Sequence, residues 1–342
     1  MSSNVHVLVV DDSAVVRQTI QAILKTQPDI TTSAAADPVI AMEKMKRDRP
    51  DVIILDLEMP RMDGLTFLRK LMAEDPLPVI VCSGHVGEAS REAVRALEAG
   101  AVDLIAKPNL GVQSFLTESA VVLVDAVRAA SVYRMPLRRQ PRLGVQPAGP
   151  VAASQRARLV AIGASTGGTE AIREVLEPLP VTTCGIVIVQ HMPAPFTRSF
   201  ANRLNELCAI EVKEAEDGDE IRPGRALVAP GNRHMTVRSF AGRLTVALHD
   251  GAFVSRHRPS VDVLFRSVAE TLGSDAIGVL LTGMGGDGAD GLLEMRKVRA
   301  TTFAQDEATS AVFGMPREAI RRGAAEQVLP LSHIAPALLR MA

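Results

Sequence analysis

Asp11-Asp12, Asp56, Ser83 and Lys107 each stand at the end of a short apolar run, at residues 5–10, 52–55, 79–81 and 102–106. An acid after such a run is ordinarily a helix cap or a turn residue, so any one of these means little. All of them at run ends are hard to obtain by chance. Three carboxylates held together repel, and so favour a hard divalent cation, with Mg²⁺ the natural choice. Such a cation neutralises Asp56 and lets it attack a phosphoryl group in line. Lys107 meets the new phosphoryl oxygens as a point charge, and the Ser83 hydroxyl donates a hydrogen bond to the same group.

A second set of residues could do acyl transfer. Gly163-Ala164-Ser165-Thr166-Gly167-Gly168 lies between an apolar run and a helix-patterned stretch. It fits G-x-S-x-G, in which small neighbours allow the sharp turn that exposes a serine. The helix N-terminus beside it favours developing negative charge. A phosphate- or dinucleotide-binding turn is the competing reading, but the spacing is not G-x-G-x-x-G and the acid expected after the next strand is missing. His191, in Gln190-His191-Met192-Pro193, ends the next apolar run, where a general base would be needed. A third run, 276–281, leads into Thr282-Gly283-Met284-Gly285-Gly286-Asp287-Gly288. That loop could bind metal or phosphate. Equally, it could offer backbone N–H groups to an oxyanion and Asp287 to orient the histidine. The order Ser, His, Asp differs from the Ser, Asp/Glu, His of α/β-hydrolases.

Elements that bring such residues together are legible in the pattern. Short apolar runs alternate with helix-spaced stretches through both halves of the 342-residue chain, the signature of βαβ units. Function in open parallel sheets gathers at the carboxyl ends of the strands. We therefore expect an α/β fold of two doubly wound parallel-sheet domains, the second with a small antiparallel extension between residues 217 and 259. Residues 126–158 contain seven arginines and no acid, broken by Pro136, Pro141, Pro147 and Pro150, which reads as a linker. The boundaries are then 1–125, 126–157 and 158–342. A net charge of −1 gives no case for nucleic acid. No apolar run is long enough to cross a bilayer, so no direct membrane insertion is expected. Cys82, Cys184 and Cys208 form no CxxC pair and read as reduced, mostly buried thiols.

The first half resembles the receiver domain of bacterial response regulators, over about residues 5–120, through Asp11-Asp12, Asp56, Ser83, Lys107 and the Met59-Pro60…Asp63-Gly64 turn. The resemblance implies a flavodoxin-like fold, phosphorylation at Asp56 and sensing by Ser83 and Lys107. It also implies Mg²⁺ held by Asp12, Asp56 and the Glu58 carbonyl, with Asp11 acting through water. Leu104 departs from the aromatic usual three residues before the lysine, which bears on how phosphorylation is transmitted. The second half, with Ile162-Gly163-Ala164-Ser165-Thr166-Gly167-Gly168, Gln190-His191-Met192-Pro193 and the 281–288 loop, is similar to the catalytic domain of receptor-modification methylesterases. Arg256-His257-Arg258-Pro259-Ser260-Val261-Asp262 and Gly314-Met315-Pro316 belong to the same pattern. Arg299 departs from it, at a position that often carries glycine.

That resemblance implies a Rossmann-like domain in which Ser165 is nucleophile, His191 base and Asp287 its orienter. Thr166 and the Met284 N–H stabilise the oxyanion, and no cofactor takes part in ester hydrolysis. The implied substrates are glutamyl methyl esters, and some glutamines, on the cytoplasmic domains of chemoreceptors. The implied phosphodonor is the histidine kinase of the chemosensory array, with the enzyme in the cytoplasm and recruited to receptor arrays. Two other readings are a phospho-switched adaptor with a vestigial esterase domain, and a hydrolase of some other ester. The intact triad argues against the first, and methanol release from methylated receptors separates the second.

Overall fold

Runs of four to six apolar residues are too short for stable helices and pair as strands, while the stretches between them bury one apolar stripe each. The structure, a computed structural model, describes residues 4–59, 62–84, 88–107, 113–133 and 157–341, without the side chains of 88–89 and 113–119. The expected turn residue Pro60 and most of the expected linker lie outside these. The chain divides into two units, residues 1–135 and 136–342.

In the first unit the elements run β1 (Val5–Val10), α1 (Ala14–Leu24), β2 (Ile30–Ala35), α2 (Pro38–Met45) and β3 (Val52–Leu55). They continue with α3 (Gly64–Glu74), β4 (Val79–Ser83), α4 (Glu88–Glu98), β5 (Asp103–Ala106) and α5 (Gln113–Ser131). The five strands are parallel in the order β2-β1-β3-β4-β5. Ser13, Asp37 and Asp63 cap α1, α2 and α3 by accepting a hydrogen bond from the backbone N–H three residues on. The linker begins later than residue 126. Helix α5 continues to Ser131, with Ala126, Val127, Ala129 and Ala130 buried. Arg128, the first arginine of the stretch, is not a linker residue: its guanidinium reaches back to Asp29 at 2.9 Å. The arginine-rich composition obscured an apolar helical stripe that the core uses.

The second unit runs β6 (Leu159–Ala164), α6 (Gly168–Leu176), β7 (Gly185–Gln190), α7 (Ala194–Leu207), β8 (Glu211–Glu214), β9 (Arg225–Val228), β10 (His234–Phe240) and β11 (Arg243–His249). It ends with α8 (Val261–Leu272), β12 (Ala276–Leu280), α9 (Ala289–Lys297), β13 (Thr301–Gln305), α10 (Met315–Arg321), β14 (Gln327–Leu329) and α11 (Leu331–Leu339). Seven strands form one parallel sheet, β14-β13-β12-β6-β7-β9-β8, and β10 and β11 pair as the expected antiparallel extension. Every residue of β6, β7 and β12 is buried, as expected of central strands covered on both faces. Val261, Leu264, Phe265 and Val268 of α8 are fully buried against this sheet and the hairpin. Each such side chain contributes roughly 1.5–3 kcal/mol, so α8 is firmly seated.

Arg299 sits at φ +65°, just beyond α9, where Ala300 N–H donates to the Met295 carbonyl. This left-handed position closes the helix and favours glycine, which accounts for the glycine often found there, and Arg299 adopts the same backbone. All three cysteines are free, and burial pushes the thiols of Cys184 and Cys208 up to about 12 and about 11.

Candidate functional sites

Both sheets reverse their strand order next to their first strand, between β1 and β3 and between β6 and β12. A crevice opens at the carboxyl ends of the strands at such a point.

In the first unit the crevice gathers the expected acids. Asp11, Asp12 and Asp56 each offer a carboxylate oxygen, and these atoms lie within 4.8 Å of one another. Lys107 Nζ stands 2.7 Å from Asp56 Oδ2 and 3.4 Å from Asp11 Oδ2. Burial raises the pKa values of Asp11 and Asp56, and the Lys107 charge opposes the rise without cancelling it. Burial pulls Lys107 down, but its pairing with the two carboxylates leaves it above its usual value. The Ser83 hydroxyl is buried and has no hydrogen-bond partner among the described residues. Glu58 N–H donates to Asp56 Oδ1 at 3.2 Å, which sets the residue after the strand against that carboxylate. A Cβ on Gly64 would fall 2.1 Å from the Asp56 carbonyl, so only glycine allows α3 to start this close. An all-oxygen, excess-negative donor set fits Mg²⁺. Leu104 is buried in β5 opposite Val81.

In the second unit Ser165, His191 and Asp287 follow β6, β7 and β12. Parallel pairing sets Ala164 opposite Gln190, so Ser165 and His191 leave adjacent strands at the same level. His191 N–H donates to the Ala164 carbonyl at 3.0 Å, and Ser165 N–H to the Thr282 carbonyl at 3.0 Å. The buried Gln190 amide donates to the carbonyls of both Ser165 (2.9 Å) and His191 (3.1 Å), joining the two turns. A Cβ on Gly283 would come within 2.7 Å of Ser165 Cβ, so that glycine admits the serine.

Asp287 is held by four donors. His191 Nε2 lies 2.8 Å from Oδ2, and Ser260 Oγ donates to Oδ1 at 2.7 Å. Val261 N–H donates to Oδ2 at 2.7 Å and Asp262 N–H to Oδ1 at 3.2 Å, both from the first turn of α8. Burial alone would raise this carboxyl. The His191 bond and charge, Ser260 and the Val261 N–H outweigh it and bring the pKa to about 2. A carboxylate only accepts, so His191 Nε2 carries the proton and its lone pair is at Nδ1. Nδ1 is buried and has no hydrogen-bond partner among the described residues, the Ser165 hydroxyl included. Hydrogen bonds of this kind commonly close only in the substrate complex.

The Gly283 carbonyl accepts from the N–H groups of Gly314 and Met315. In a trans peptide the next N–H points the opposite way, and Met284 N–H is engaged by no hydrogen bond among the described residues. Thr166 is buried, its carbonyl accepting from Thr282 Oγ1 at 3.0 Å. The three residues of the expected triad and both expected oxyanion residues are thus gathered at one crevice.

Four further residues there were given no role from sequence. They are Gln190, Ser260, Asp262 and His257, whose ring stacks on that of His191 at 3.7 Å. Gln190 had one signal, a polar residue closing an apolar strand. Asp262 and Asp287 cap one another's helices: Asp262 Oδ1 accepts from Gly291 N–H at 2.7 Å in the first turn of α9. Burial, helped by the Asp287 charge and resisted by the Gly291 N–H, raises Asp262 to about 6. A raised folded pKa favours the neutral form. Its contribution to stability is complete below the unfolded value of about 3.8 and is lost as pH rises through about 6. Asp262→Asn keeps an acceptor for Gly291 and has no charge to bury. It should therefore be more stable than the parent at pH 8, by about 1–3 kcal/mol, with the gain fading towards pH 4. Denaturant titrations at the two pH values measure this, and an equal difference at both would exclude the charge as its cause.

Comparison with known proteins places these sites in context. The family described as CheB methylesterase matches residues 160–338, and the family described as response regulator receiver domain matches residues 7–115. The chain is 56% identical to protein-glutamate methylesterase/protein-glutamine glutaminase 5 of Anaeromyxobacter dehalogenans, across 98% of this chain and 96% of that one. It is 53% identical to protein-glutamate methylesterase/protein-glutamine glutaminase 3 of Geobacter metallireducens, across 98% and 99%. The crystal structure of the Thermotoga maritima CheB methylesterase catalytic domain is similar to 54% of this chain and 99% of that domain, with 38% identity and a TM-score of 0.53.

Proposed function

Because the chain belongs to the CheB methylesterase family and carries a receiver domain ahead of the methylesterase domain, we propose that Ser165, His191 and Asp287 give it its hydrolase activity and that Asp56 controls it. The chain is a protein-glutamate methylesterase/protein-glutamine glutaminase regulated by phosphorylation. The observation that carries the residue assignment is the Nε2 bond of His191 to Asp287, which leaves Nδ1 as the lone-pair nitrogen beside the serine turn.

Ser165 Oγ attacks the carbonyl carbon of a glutamyl methyl ester while its proton passes to His191 Nδ1. The carbonyl oxygen takes the negative charge and is met by Met284 N–H and Thr166, whose stabilisation is greatest when that charge is fully developed. Asp287, kept ionised by the first turn of α8, stabilises the imidazolium. His191 returns its proton to the departing methoxide, methanol leaves, and an acyl-serine remains. Water, deprotonated by Nδ1, then attacks the acyl carbon and frees glutamate and Ser165. A glutamine side chain follows the same course with ammonia leaving.

In the receiver domain Asp11, Asp12, Asp56 and the Glu58 carbonyl would hold Mg²⁺, which when bound supplies the positive charge that lets a carboxylate meet a phosphoryl group. Asp56 accepts that group from a histidine kinase, and Ser83 and Lys107 bind its oxygens. No helix among the described residues is long and apolar enough to cross a membrane. The substrates are the cytoplasmic domains of methylated chemoreceptors, and we place the enzyme in the cytoplasm at receptor arrays.

Methanol release from membranes bearing methylated receptors tests this reading. A small phosphodonor with Mg²⁺ is expected to raise the rate of the parent and to leave Asp56→Asn at its basal rate, with no phosphate on the variant by mass spectrometry. Label retained by Asp56→Asn would move the acceptor elsewhere. No methanol from the phosphorylated parent would point to another ester or to a binding role.

A further inference from the structure

The loop before Pro259 has no part in the chemistry above, yet it supplies the ring that covers His191. The imidazoles of His257 and His191 lie nearly parallel, 3.7 Å between centroids and 10° between planes. Two charged rings at this distance would repel one another strongly. Burial, reinforced by the neighbouring His191, drives the pKa of His257 down to about 3, so the ring is neutral wherever the enzyme works. The face of a neutral aromatic ring attracts a cation. His191 becomes a cation when it takes the proton of the serine or of the attacking water. The contact is therefore stronger in the reacting state than in the resting one, which is the condition for raising kcat.

The backbone that presents His257 is strained and multiply tied. Val254 and His257 exchange both backbone hydrogen bonds, at 3.1 and 2.9 Å, across a turn whose central residues Ser255 and Arg256 have φ of 51° and 67°. Left-handed backbone at two residues bearing a Cβ is unfavourable, and persists where the surroundings over-determine it. Arg258 provides such ties. Its Nε and Nη2 donate to Asn232 Oδ1 at 3.0 and 2.7 Å, its Nη1 donates to the Gly251 carbonyl at 3.0 Å, and its guanidinium lies 4.5 Å over the Phe253 ring. Strain held in this way beside reacting groups marks a placement that function uses.

We propose that His257 is a positioning residue for the general base. Its ring holds the His191 plane so that Nε2 faces Asp287 and Nδ1 is left for the serine, and its face supports the imidazolium during proton transfer. The proposal rests on the Ser165-His191-Asp287 reading above.

The test uses the full chain with phosphodonor and compares the parent with His257→Ala, His257→Phe and, as control, His191→Ala. Two rates are measured, methanol release from methylated receptor membranes and labelling of Ser165 by a fluorophosphonate probe. His257→Ala is expected to lower kcat by about 10- to 100-fold with KM changed by less than about threefold. His257→Phe, which keeps a neutral ring face without ring nitrogens, should stay within about threefold of the parent. Rescue by phenylalanine separates a platform from a fold requirement, and thermal unfolding of each variant accompanies the rates. The proposal is overturned if His257→Phe is as slow as His257→Ala, if His257→Ala turns over like the parent, or if the loss lies in KM. Failure of the triad reading looks different: the parent is then not labelled at Ser165, or its labelling does not depend on His191.

Discussion

Ser165→Ala is expected to stop methanol release while leaving the rest of the molecule as it is. On the proposed mechanism the variant loses the only atom that forms the acyl bond, so the remaining rate is that of water attacking an ester held near the oxyanion donors. For a serine nucleophile with an intact base this loss is about 10⁴-fold or more in kcat. The fold has little reason to respond. The backbone of the turn is fixed by the Thr282 carbonyl and the Gln190 amide, neither of which touches the hydroxyl. Alanine also fits where Gly283 already leaves room for the serine Cβ. Substrate binding should be nearly unchanged, and phosphorylation of Asp56, in the other unit, fully retained. Turnover within about tenfold of the parent would remove Ser165 as nucleophile.

Asp287→Asn is expected to be nearly as damaging, by a different route. The four donors around this carboxylate find only one acceptor oxygen in asparagine, and its NH₂ group must face two of them. If it faces His191, the Nε2 proton moves to Nδ1 and the lone pair leaves the side of the serine. The wrong tautomer lowers kcat by about 10⁴-fold in triads of this type. A second effect follows from the same bonds. The folded pKa of Asp287 is depressed to about 2, below its usual 3.8, so its stabilising contribution is present above pH 3.8 and is lost as pH falls through about 2. The variant should therefore be less stable than the parent at pH 7, by about 1–3 kcal/mol, with the difference shrinking in strong acid. Urea unfolding at pH 7 and rate measurements on folded protein keep the two effects apart. A folded Asp287→Asn enzyme with parental kcat would show that nothing depends on the His191 tautomer. The opposite pH trend is expected of Asp262→Asn, because burial prevails at Asp262, while at Asp287 the hydrogen bonds and the His191 charge together outweigh it.

The sites were legible in the sequence because chemistry at parallel-sheet edges leaves a one-dimensional trace. Asp56, Ser83 and Lys107 mark strand ends, and so do Ser165 and His191, since a buried strand must be an apolar run and the residue after it is the first free to be polar. Asp287 was found the same way, with a glycine-rich loop between it and its strand. The end of α5 was not legible, because Arg128 and the arginines that follow the helix read as linker composition until packing chooses the apolar face of Ala126, Val127 and Ala130.

What the sequence determined by itself is the pair of α/β domains, the order of the strands' end residues and the types of group they could form. Tertiary structure alone decided which nitrogen of His191 meets Asp287 and which is left for the proposed role of base, since that depends on Asp287 meeting Nε2 from the first turn of α8. It alone decided that Asp287 and Asp262, 25 residues apart, hold opposite charge preferences. It alone laid His257 on His191. The physical reason is the same in each case. Identity and spacing fix what a side chain is and which strand end it occupies, but its pKa, tautomer and partners depend on groups that the fold brings from distant parts of the chain into a space without water.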